Sequence, residues 1–199
     1  MSFCQSQSSK DCTIHSLNNA FGRVVITKSK VVEYLDSKCG QMRRDLEGSG
    51  MIEDEVARRV KKFREENSDG DSFFSANIVW MAAREAGTFF AYRQIPGFSS
   101  PFVDRESGVL SLEPELARRP IVLLGSVKGG ATHAIALRGG RIVDSEYCGE
   151  GGGTELTREN LHRSLSEVYG AYVFAVNRAE DEETARLLSR KNFSVSASV

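Results

Sequence analysis

An excess of charge of one sign is what this sequence most plainly lacks. Its 199 residues carry 26 Lys and Arg against 27 Asp and Glu, a formal net charge of −1. No field of that size calls for nucleic acid or an anionic membrane as partner. Long apolar runs are missing too, since no stretch approaches the ~20 residues that a membrane-spanning helix needs. The opening MSFCQSQSSKDC has no basic stretch leading into an apolar one, so no secretory signal is expected. Cysteines are few: Cys4, Cys12, Cys39 and Cys148, with no CxxC pair. Without a secretory signal they are expected to be reduced, in the cytoplasm or the nucleus. A zinc site could be drawn from Cys4, Cys12, His15 and Cys148, but no second paired-ligand motif supports it. No metal or other cofactor is expected, and there is no internal repeat. What is present is ordinary, with 40% hydrophobic and 27% charged residues. That composition and length suit one monomeric globular domain with a sizeable core.

Helices dominate the first half. CTIHSLNNAFG has apolar Ile14, Leu17 and Phe21 at three- and four-residue steps, with Asp11 as N-cap and Gly22 as stop. TKSKVVEYLDSKCG predicts a second helix, begun by Thr27 or Ser29 and ended at Gly40. EDEVARRVKKFREEN predicts a third, with a narrow stripe of Val56, Val60 and Phe63 among charged faces, which suggests that it projects from the core. That stripe offers either a partner surface or a face for burial against the second helix. SANIVWMAAREAG predicts a fourth, capped by Ser75, stopped at Gly87 and burying Ile78, Met81, Ala82 and Ala86.

The period then changes. TFFAYRQI and the wholly apolar PIVLLGS read as strands. THAIALRGGRIVDSEY reads as a hairpin turning at Gly139-Gly140. TRENLHRSLSEVYG predicts a fifth helix capped by Thr157, with Leu161, Leu165 and Val168 as its face, and AYVFAVNR a last strand. The layout is α+β, with the first helix packed on an antiparallel sheet. Residues 1–178 are expected to form the domain and 179–199 a short tail holding a turn or two of helix before it frays.

One constellation carries chemistry. A cysteine attacks as thiolate, and a helix N-terminus and a nearby imidazolium both favour that form. Cys12 opens a helix, and His133 lies on a strand entered from a Gly-Gly loop. Across the Gly139-Gly140 turn, paired positions sum to about 279, so Asp144 falls opposite Ile135, one diagonal step from His133. Asp144 can therefore orient the imidazole. Gln7, five residues before Cys12, can supply an oxyanion donor beside the Cys12 N–H, with Gln5 as its rival. His15 is the competing base, but a residue three positions on points along the helix. His162 belongs to an exposed helix face. Asn18 and Asn19 are read as ties from the first helix to neighbouring backbone.

QSSKDCTIHSLNN resembles the nucleophile segment of the Josephin family of ubiquitin-processing cysteine proteases: a Gln, a Cys five later, a His three beyond it, then Leu-Asn-Asn. Here these are Gln7, Cys12, His15 and Leu17-Asn18-Asn19. DGDSFFSANIVWMAAREAG is similar to a second segment of that family, and the apolar strand, His133 and the later VDS follow in the same order, over roughly residues 3–177. The resemblance implies a papain-like fold and a deubiquitinase with ubiquitin or its conjugates as partner. In it Cys12, His133 and Asp144 form the triad, Gln7 assists, and a helical arm falls at about 41–67. Two other readings stay open: an inactive Josephin-like module that binds ubiquitin or another partner, and a papain-like peptidase or acyl transferase with a different substrate.

Overall fold

Residue 4 and residues 11–70, 73–86, 91–94, 118–147 and 153–190 are described by the computed structural model. Four helices lead: α1 (Cys12–Phe21), α2 (Lys28–Gly48), α3 (Glu53–Asn67) and α4 (Ala76–Glu85). Strands β1 (Ala91–Gln94), β2 (Ile121–Ser126), β3 (Thr132–Arg138) and β4 (Arg141–Val143) follow, then a 3-10 turn at Ser145–Tyr147. Strand β5 (Thr154–Glu155), helix α5 (Arg158–Ser164), strand β6 (Glu167–Ala175) and helix α6 (Arg178–Arg190) complete the described chain. The six strands form one sheet in the order β1-β6-β2-β3-β4-β5, every neighbouring pair antiparallel. The α+β class holds.

Strand alternation divides the core in two. Val122, Ala134, Ala136, Val143 and Phe174 pack with α1, α2 and α4. Ile121, Leu123, Ile135, Leu137 and Val173 pack with Leu161 of α5 and with Leu187 and Leu188 of α6. Side chains at successive strand positions point to opposite faces, so a strand covered on both faces must be apolar throughout, as IVLLGS is. On the first face Trp80 meets Phe174 edge to face at 5.1 Å, and Phe21 meets Phe174 at 5.8 Å. These ring contacts join α1, α4 and β6.

Several local expectations are corrected. Helix α2 does not stop at Gly40 but runs to Gly48. One interior glycine costs only about 1 kcal/mol, and QMRRDLE beyond it favours helix. On α4, Val79, Trp80 and Ala83 are buried, whereas Met81 and Ala86 are exposed. The large indole takes the core, which turns the helix relative to the expected face. The expected fifth helix is cut short: α5 ends at Ser164, and Val168 lies in β6, paired with Gly125. Pairing along β2 overrides the helical spacing there. Helix α6 is longer than a turn or two and packs on the sheet. Of the α3 stripe, Val56 is fully covered and Val60 and Phe63 are half-buried against the core, while the rest of the helix is largely exposed.

The disulfide state departs from expectation as well. Cys4 is disulfide-bonded, while Cys12 and Cys39 are free thiols. Spacing could not show this, because bridging depends on Cα atoms that the fold brings within about 7 Å. Cys148, Gly87 and much of TFFAYRQI lie outside the described residues.

Candidate active site

Helix α1 is covered on every side, from Cys12 through Ala20. Its polar residues therefore need internal partners. Ser16 donates to the Thr13 carbonyl. Asn18 accepts from the N–H groups of Val25 and Ile26 and donates to the Ile26 carbonyl. That side chain fixes the segment leaving the helix, as expected of the Asn pair. Gly22 ends the helix in the left-handed region, at φ 66°, and its N–H meets the Asn18 and Asn19 carbonyls.

Strand β3 engages both ends of this helix. At the far end Arg138 Nη1 donates to the Asn19 carbonyl at 2.9 Å, placing a cation at the negative helix terminus. At the near end Cys12 and His133 come together to line one cleft. Ten helical residues span about 15 Å, and the five steps from His133 to Arg138 span about 17 Å. Helix and strand thus run in the same direction over matched lengths.

The hairpin positions the remaining group. Gly139 and Gly140 take φ of 57° and 73°, the conformation a tight two-residue turn requires. Ala136 pairs with Val143 and Leu137 with Ile142, so the expected register is the observed one. Asp144 follows β4, and its Oδ1 lies 2.9 Å from His133 Nε2. The same oxygen accepts the Glu146 N–H at 3.0 Å. His133 and Asp144 are only 3% and 4% exposed. With Nε2 turned to Asp144, the ring nitrogen left for Cys12 is Nδ1. Burial disfavours the His133 imidazolium, but hydrogen bonds to Asp144 and Cys12 and the charges of both outweigh it, and the group is pushed up to about 10.

The first turn of α1 faces this pair without a side-chain cap. Asp11 occupies the N-cap position but makes no capping hydrogen bond, and it lies 3.5 Å from Lys28 Nζ instead. Amide N–H groups at a helix start suit a ligand carrying developing negative charge. Gln7 and its rival Gln5 lie outside the described residues. His15 is buried, held below its ordinary value by burial against an opposing pull from Asp11, and does not line the cleft. His162 is exposed. The zinc alternative loses Cys4, whose sulfur is already bonded.

A cleft of about 500 Å³ opens beside the thiol, lined by Asp69, Phe73, Val127, Ala131, Thr132 and Glu146 together with Cys12 and His133. Sequence reasoning missed most of this lining. Phe73 sits in the SFFS segment, where Ser75 carries a signal only as a helix cap, and Glu146 follows Asp144 in a turn with no periodicity to flag it. The arrangement suits nucleophilic attack by sulfur, with proton transfer through one oriented imidazole. No protein-family model matches the chain, and no curated protein matches it.

Proposed function

We propose that this chain is a cysteine-type peptidase of papain-like, Josephin-like kind that cleaves an isopeptide or peptide bond at the C-terminus of ubiquitin. One observation carries the reading: Cys12, at the first residue of a buried helix, lines one cleft with His133, whose Nε2 lies 2.9 Å from the buried Asp144 carboxylate.

The steps follow from those positions. The Cys12 thiolate attacks the scissile carbonyl carbon, and the carbonyl π electrons move to oxygen. The oxyanion is met by the Cys12 N–H, with Gln7 as the proposed second donor. Collapse expels the amine, which takes the Nδ1 proton of His133 and leaves a thioester on sulfur. Water then gives a proton to Nδ1 and attacks the thioester, releasing the acid and restoring the thiolate. Asp144 holds the ring and balances its charge throughout. Ubiquitin as the substrate rests on the QSSKDCTIHSLNN resemblance.

The test is a ubiquitin body ending in an electrophile. Covalent labelling at Cys12, absent in Cys12→Ala, supports the reading. Binding without labelling turns it into a ubiquitin-binding module. Neither binding nor labelling, with hydrolysis of small esters retained, leaves a thiol hydrolase of other substrates.

A further inference from the structure

Asp144 does not line the cleft beside Cys12 but a second, smaller cavity. That cavity, of about 110 Å³, is walled by Ile142, Asp144, Thr154, Asn160, Arg163 and Ser164. It brings together the end of β4, the edge strand β5 and helix α5. Asp144 Oδ1 meets His133 Nε2 at 2.9 Å and the Glu146 N–H at 3.0 Å. An ionised carboxylate offers about four acceptor sites, so the group that orients His133 has capacity to bond into the cavity as well.

Ser164 is the last residue of α5 and is only 7% exposed. Among the described residues its hydroxyl has no hydrogen-bond partner, although it lines the cavity that Asp144 lines. A buried hydroxyl left in that state is costly. The neighbouring polar groups are tied elsewhere: Asn160 Nδ2 donates to the Glu155 carbonyl, and Arg163 Nη2 lies 3.4 Å from Glu159 Oε1. Neither contact engages Asp144. A roomy cavity with polar walls holds water where each molecule finds roughly two to four partners, and a bridging water holds two groups nearly as well as a direct bond. We propose that Ser164 is a positioning residue, its hydroxyl donating to a buried water that donates in turn to the Asp144 carboxylate and so fixes the plane in which that carboxylate meets His133. The effect on rate rests on the thiol hydrolase reading above, and the link adds to that reading what orients the orienting group.

The test uses the full chain, with Ser164→Ala removing the hydroxyl and Ser164→Thr keeping it. The first readout is the downfield proton NMR signal of the His133 Nε2–H, assigned by its loss in His133→Gln. In Ser164→Ala that signal should shift and broaden through faster exchange with solvent, and Ser164→Thr should restore it. The second readout is turnover of ubiquitin carrying a C-terminal fluorogenic amide. Ser164→Ala should lower kcat roughly threefold to tenfold with KM unchanged, as loss of one bridged hydrogen bond does. Melting temperatures are recorded beside both. An unaltered signal in Ser164→Ala overturns the proposal. A signal lost in both variants along with several degrees of Tm also overturns it, since Ser164 then acts by packing. A wild-type protein without the signal overturns it too, because no carboxylate then holds the imidazole. If wild type turns over no substrate while the signal still answers to Ser164, the hydrolase reading falls and the water link to Asp144 stands.

Discussion

At the scale of single residues, His133 concentrates the most consequence. Its ordinary value of 6.5 is pushed up to about 10 against the effect of burial, chiefly by Asp144 and Cys12. A folded value above the unfolded one means that the native state holds this proton more tightly. The resulting stability is fully present below about 6.5 and is lost as pH rises through about 10. Thermal melts across that window should show wild type falling more steeply than His133→Ala, whose slope lacks this contribution. The same shift bears on rate: kcat/KM should hold into mildly alkaline pH and decline as His133 loses its proton. Asp144→Asn should move that alkaline limb downward, and an unmoved limb would show that Asp144 does not govern the imidazole. Cys12→Ala should abolish turnover with little change in Tm, whereas Cys39→Ala should keep the rate. Gly125, paired with His133, makes a different point. A Cβ there would stand 2.1 Å from the Glu167 carbonyl oxygen. Gly125→Ala should therefore lower Tm and the rate together, because backbone must shift at the strand paired with His133.

At the scale of elements, helix α2 shows where local reading fails and why. Gly40 has the look of a stop, yet it sits inside 21 helical residues. A Cβ there would meet only the Arg44 guanidinium at 3.6 Å, an ordinary contact. Gly40→Ala should stabilise the protein by about 0.5–1 kcal/mol in denaturant titrations. Helix α3 is legible to the residue, but what covers its stripe is not, since periodicity reports a face and not its partner. With Val56 fully covered, Val56→Asp should lower Tm by many degrees. Unchanged melting with a raised KM would return the stripe to a binding role. The β3–β4 register, by contrast, can be read in advance, because two glycines fix the turn and the turn fixes every pair. That is why the His133–Asp144 contact can be named from the sequence. The β6 extension cannot, since Val168 and Tyr169 fit a helical face as well as a strand until β2 lies beside them.

For the molecule as a whole, the C-terminal helix is tied to the sheet by charge and by apolar contact. Arg93 makes a two-pronged contact with Asp181 at 2.7 and 2.9 Å, and Arg119 reaches Glu180 and Glu183. Leu187 and Leu188 close the second core. Removing residues 178–199 should lower Tm substantially in a melt, whereas loss of a solvated tail would leave it unchanged. The helix is obscured in sequence because AEDEETARLLSRKN offers only a few apolar residues, and their value depends on the sheet face beneath.

The hairpin that joins His133 and Asp144 has a further consequence for the order of assembly. His133 and Asp144 are 11 residues apart and meet through a two-residue turn, a contact that forms with little loop closure. Cys12 lies 121 positions before His133 and reaches it only when α1 docks along β3. On the ribosome Cys12 emerges first and His133 long afterwards. Throughout that interval it is an ordinary thiol on an unfinished chain. On the proposed reading, reactivity arrives only with that docking, so a nascent or misassembled copy carries the proposed nucleophile without its chemistry.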